Sequence, residues 1–122
     1  AESGPSAVAR DYWLAWANLD QEAVSSLVVE DMVSNIRLGV SAVRAKIKMG
    51  GDFAETWEKR IERLKSRVAS AECESFPEST ICYLPGVYDS NLRLVKIDGA
   101  WKVDPSIERQ NSDPNWRKIR QT

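Results

Sequence analysis

Asn91-Leu-Arg-Leu-Val-Lys-Ile-Asp-Gly-Ala-Trp-Lys-Val-Asp104 holds two apolar-rich runs joined by Asp98-Gly99. Asp-Gly is a strong hairpin signal, because a two-residue type I′ turn needs positive φ at both central positions and these residues tolerate it best. Centring the turn there opposes Ile97 to Ala100, Lys96 to Trp101 and Leu94 to Val103. The pleat then puts Leu92, Leu94, Trp101 and Val103 on one face, a core face, and leaves Val95, Ile97 and Ala100 for the outer one. Lys96 also falls within reach of the Trp101 ring for a surface cation–π contact. The stretch fixes a late antiparallel sheet and names no chemistry.

Upstream, strand-like segments near 66–74, 79–84 and 88–97 are punctuated by Pro77 and Pro85-Gly86. Cys73 and Cys82, the only cysteines, bracket Phe76-Pro77-Glu78-Ser79. A turn centred on Pro77-Glu78 makes them directly opposed, and opposed residues of a non-hydrogen-bonded pair lie ~4.5 Å apart at Cα, close enough for a disulfide. Closing so short a loop contributes roughly 2–3 kcal/mol in the chain-entropy model. The competing reading is two small buried thiols in a reducing cytosol. The disulfide is favoured, and with it a periplasmic or secreted protein.

Before the sheet the periodicity is helical. Pro5 sits at a first helical position ahead of Val8, Tyr12, Ala15 and Leu19, which predicts a helix over about 6–18. Asp20 can cap a second helix over about 21–28, Met32–Ile36 reads as a short strand, and Ser41 can start a third helix ended by Gly50-Gly51. Asp52 reads as a further N-cap, with Phe53, Trp57, Ile61 and Leu64 as the stripe of a helix laid on a sheet. Helices first and sheet second make an α+β order. The tail after Pro105 is polar and reads as an extended strap over 106–122 that ends in a turn around Trp116 to Arg120.

Helices leading into an antiparallel sheet closed by Leu94-Val-Lys-Ile-Asp-Gly-Ala-Trp-Lys-Val103 resemble the nuclear transport factor 2-like, or cystatin-like cone, superfamily. The chain is especially similar to its small bacterial exported and lipoprotein domains of unknown function. The resemblance covers about 6–105, and its most specific element is Asp98-Gly-Ala-Trp-Lys-Val103. It implies a curved, cone-like sheet enclosing a pocket with the covering helices. In ketosteroid isomerase-like members that pocket holds a Tyr donor and an Asp base, so the resemblance makes Tyr12 and Asp31 the catalytic candidates. A phenol in a dry pocket stabilises an enolate while a carboxylate moves the proton. Tyr12 also lies on the apolar stripe, and Asp31 belongs to a Glu30-Asp31 pair typical of a solvated turn, so packing is the favoured reading for both.

Composition narrows the chemistry further. The chain of 122 residues is one domain by length, and a chain of this size buries about two-thirds of its unfolded surface. There is no His, which removes Ser-His-Asp and Cys-His nucleophile systems and most transition-metal sites. Six glycines form neither a dinucleotide fingerprint nor a phosphate loop, so no cofactor or metal is expected. Net charge −1 argues against a nucleic-acid binder, and no apolar run approaches the ~20 residues of a membrane span. The start Ala1-Glu-Ser-Gly-Pro5 suits a mature end after leader cleavage, with or without a lipid anchor, and a trimmed chain would look the same.

Charge is segregated: residues 44–67 carry eight basic and four acidic groups. Lys59, Arg60, Arg63, Lys65 and Arg67 are therefore candidates to meet a protein partner, against the alternative of a solvated helix face. Tyr12, Trp16, Trp57 and Trp101 are candidates to line a ligand pocket, against the alternative that they are core. The expectation is a non-enzymatic exported binding or scaffold module of the cell envelope, acting through protein contacts and capable of a homodimer through the outer sheet face. A hydrophobic-ligand binder or isomerase using the cone pocket, and an immunity-type inhibitor, are the alternatives.

Overall fold

The computed structural model describes residues 4–119, so Arg120 at the end of the expected tail turn lies outside them. Among these residues the domain is α+β. Helices come first and a four-stranded antiparallel sheet follows, its strands neighbouring one another in chain order.

Helix α1 (Pro5–Ala17) starts with Pro at its first turn and buries Val8, Ala9, Tyr12, Trp13 and Ala15. Asp20 accepts from the Ala23 N–H at 3.1 Å and so starts α2 (Gln21–Leu27). The short strand expected at Met32–Ile36 does not form. A 3-10 turn at Glu30–Met32 runs straight into α3 (Val33–Lys48), which begins well before Ser41. Val33, Ile36, Val40, Val43 and Ile47 recur at spacings of three and four and carry the helix through Gly39. Gly39 faces the Trp16 ring of α1, where an added Cβ would make an ordinary van der Waals contact at 3.5 Å.

Gly51, at φ 76°, precedes α4 (Asp52–Arg67), so Asp52 belongs to the first turn rather than capping it. No residue of α4 is fully buried; Trp57, Ile61 and Leu64 are half-buried on its inner side. The helix continues to Arg67 and a 3-10 turn over Val68–Ser70, which displaces the expected strand start near 66 to β1 (Glu72–Ser75).

β1 pairs with β2 (Thr80–Tyr83) with Cys73 opposite Cys82, and the two sulfurs are bonded. Reduction, or the Cys73→Ser/Cys82→Ser pair, should lower stability by about 2–3 kcal/mol, because the unfolded chain regains its loop entropy. Chemical denaturation with and without reductant measures this. β3 (Leu92–Ile97) starts later than expected, after an irregular 84–91 loop pinned where the Ser90 hydroxyl receives the Leu84 N–H at 2.9 Å. β3 and β4 (Ala100–Val103) pair as Ile97–Ala100, Lys96–Trp101 and Leu94–Val103 about a turn with φ 50° at Asp98 and 81° at Gly99. The Lys96 ammonium lies 6.0 Å from the Trp101 ring centroid.

The core lies between the helices and one sheet face. Leu94, Val103, Cys82 and Leu84 meet Val8, Tyr12, Trp13, Val24, Ile36 and Val40, with Leu92 and Trp101 packed around them. The expected extended strap is a correction: Ser106 accepts from the Arg109 N–H and starts α5 (Ile107–Ser112), after which Asp113 receives the Asn115 N–H at 2.9 Å. A 3-10 turn at Trp116–Lys118 closes the described chain.

Candidate functional site

The sheet face opposite the core is covered at one end only. There the tail is tied down: Ser79 donates to Asp113 at 2.6 Å, Asn115 donates to Glu78 at 3.1 Å, and Asn91 donates to the Ile119 carbonyl at 3.1 Å. Ile81, which shares this face with its partner Arg93, is fully buried. At the β3–β4 end nothing among the described residues lies over Val95, Ile97 and Ala100, and Ile97 is 44% exposed. The Val29 N–H donates to the Val103 carbonyl at 3.0 Å, which holds the segment 28–33 along the free edge of β4. Between that segment and the hairpin runs a groove of about 960 Å³ with Val28, Val29 and Val33 on one wall.

One end of the groove is a closed ionic network. Arg93 donates to Asp113 at 2.7 Å and to Asp104 at 2.6 Å, and the side chains of these carboxylates are only 1% and 3% exposed. Arg109 of α5 offers one edge to Asp104, at 2.7 and 2.8 Å, and the other to Asp31, at 2.8 and 3.0 Å. Two guanidiniums thus tie the tail to the sheet and to the loop after α2. Among the described residues no buried side-chain polar atom lacks a partner.

Burial pushes the Asp104 carboxyl up, but the bonds from Arg109 and the Ser106 N–H, with the charge of Arg93, outweigh it and hold the group below its ordinary value. Asp113 is likewise held low, burial being outweighed by Ser79, Arg93 and the Asn115 N–H. The Arg109 guanidinium is held still more firmly protonated by Asp104 and Asp31. These carboxylates are ionised and occupied, so they hold geometry rather than exchange protons near neutrality.

A depressed folded pKa stabilises the protein above the unfolded carboxylate value of 3.8, and that stability disappears as pH falls through the lower folded values. Acid titration by circular dichroism should therefore show wild type losing stability below about pH 4, and Asp113→Asn, already weakened at neutral pH, should lose less on acidification.

The sequence candidates distribute as follows. Tyr12 is in the core, where burial raises its phenol pKa against a smaller opposite effect from Trp16. Asp31 is 65% exposed at its side chain, lines the groove and is paired with Arg109. They lie on opposite sides of the sheet and form no phenol–carboxylate pair. Trp16 and Trp57 do share a cleft, with Trp13, beside α4, whereas Tyr12 and Trp101 pack in or against the core.

Lys59, Arg60, Arg63, Lys65 and Arg67 are all exposed on α4. Helical geometry keeps Arg60, Arg63 and Arg67 on one side, toward the 84–91 loop, and turns Lys65 away. Arg63 donates to the Gly86 carbonyl at 2.7 Å.

Sequence reasoning missed Arg93, Asp104, Arg109 and Asp113. The available signal was Arg93 and Asp104, opposite charges that both fall on the outward phase of the hairpin, Asp104 just after β4. Among the described residues no group of three or more His, Cys, Asp or Glu side chains is arranged to hold a metal. Among the described residues no helix is long and apolar enough to cross a membrane. Comparison with family models, curated proteins and solved structures finds no match to this chain.

Proposed function

We propose that this domain is a binding module that receives an apolar, positively charged segment of a protein partner in the groove between β3–β4 and residues 28–33. The observation that supports this is the half-covered outer face. The tail closes one end and leaves Val95, Ile97 and Ala100 as an uncovered apolar floor.

Charge selects the partner's sign. Each cation of the groove is already engaged: Arg93 and Arg109 by carboxylates, and Lys102 by the Ser26 carbonyl at 2.8 Å. Glu30 and Asp98 are exposed on the rim with no ion pair among the described residues. The lining as a whole carries four carboxylates, Glu30, Asp31, Asp98 and Asp104, against the three cations Arg93, Lys102 and Arg109, so the field presented to a partner is negative, which favours and steers a basic segment. The disulfide suits an oxidising compartment, and we place this activity in the periplasm or outside the cell.

The test is fluorescence anisotropy with a short alternating lysine–valine peptide and its glutamate–valine counterpart. The basic peptide should bind, more weakly at high salt, and the acidic one should not. Ile97→Asp should weaken binding by about tenfold or more while melting stays near wild type, because Ile97 is substantially exposed. Binding lost instead on reversal of Arg60 and Lys65 would move the partner surface to α4 and overturn the reading. Self-association abolished by Ile97→Asp would put a second copy of the chain in the groove and overturn it equally.

A further inference from the structure

A second concavity lies on the other side of the molecule, between α4 and the 84–91 loop. It has two lobes of about 280 and 270 Å³ that share Trp13, Arg60, Leu64, Asp89 and Ser90 as lining residues. Together they reach the lower part of the range of about 300–1,000 Å³ usual for small-ligand sites. Trp57 lines one lobe and Tyr88, 86% exposed, lines the other. The cleft exists because α4 rests on its neighbours through half-buried side chains only, while Arg63 clamps the loop through the Gly86 carbonyl.

We propose that this cleft binds a small aromatic carboxylate, with its ring against Trp16 and Trp57 and its carboxylate on Arg60. Three features carry the assignment. The walls supply aromatic faces that suit a flat apolar body. Arg60 makes no hydrogen bond or ion pair among the described residues, so its planar fork is available to a carboxylate. Arg60 and Arg63, set against the Asp89 carboxylate, leave one net positive charge, which suits a monoanion better than a phosphate dianion. The site is separate from the sheet groove, so either reading can fail without the other.

Isothermal titration of the intact protein with 1-naphthaleneacetate, 1-naphthaleneacetamide and acetate tests the assignment. The naphthalene acid should bind, and the amide should be weaker by about tenfold or more, the scale of one charge-assisted hydrogen bond. Acetate alone should not bind measurably. Arg60→Met, with Arg60→Gln as a second neutral replacement on the same exposed turn, should erase the preference for acid over amide. Trp57→Ala should weaken both ligands, and Asp89→Asn should tighten the acid. Equal affinity for acid and amide, an acid preference that survives both Arg60 variants, or no binding of the acid at millimolar concentration would each overturn the proposal. Weaker acid binding in Asp89→Asn would do so as well.

Discussion

Arg93→Met should cost about 3–5 kcal/mol, a large share of the roughly 5–15 kcal/mol that holds a small domain together. Methionine preserves much of the side-chain volume but leaves Asp113, at 1% side-chain exposure, with no cationic partner and Asp104 with Arg109 alone. The penalty is that of an uncompensated buried charge, which exceeds what an exposed ion pair contributes. Because the lost bonds fasten the tail, hydrogen exchange should rise first in Ile107–Ser112 and along the outer face of β2, before global unfolding. Denaturant melts with exchange mass spectrometry measure both. A loss below about 1 kcal/mol would mean that water replaces the guanidinium and that the network is peripheral to the fold.

Leu94→Ala should cost about 2–5 kcal/mol, since Leu94 is fully buried and stands opposite Val103 at the centre of the core. Trp101→Ala, two pairs nearer the turn, should cost less than a fully buried aromatic would, because Trp101 keeps part of its surface in water under Lys96. Reversal of that order would mean that the hairpin end, rather than its middle, carries the packing.

What could be read from the chain was local. Asp98-Gly99 sets its own dihedrals, so the β3–β4 register follows from two residues and is found as expected. The opposition of Cys73 and Cys82 follows from Pro77-Glu78 in the same way. Helix α3 was obscured because the β-branched Val33 and Ile36 look strand-like and Gly39 looks like a break, although the wider spacing was helical.

The tail fails as a strap for a different reason. A helix as short as α5 has little stability of its own and forms where Ser106 caps it and Arg109 reaches Asp104 and Asp31. The groove is still less legible. Its floor was visible as the outer phase of β3 and β4, but its wall is the segment after α2, brought alongside β4 by the bond from Val29 to Val103. Asp31, considered for proton transfer, proves to be the far anchor of a guanidinium that begins in the tail.

Amide shift mapping of the labelled protein with the lysine–valine peptide shows residue by residue which surface takes a partner. Perturbations should be contiguous over 28–33 and 95–102, should shrink at high salt, and should vanish in Ile97→Asp while the 84–91 loop stays unmoved. Shifts confined to α4 and the 84–91 loop, or none at saturating peptide, would contradict the groove as the binding site.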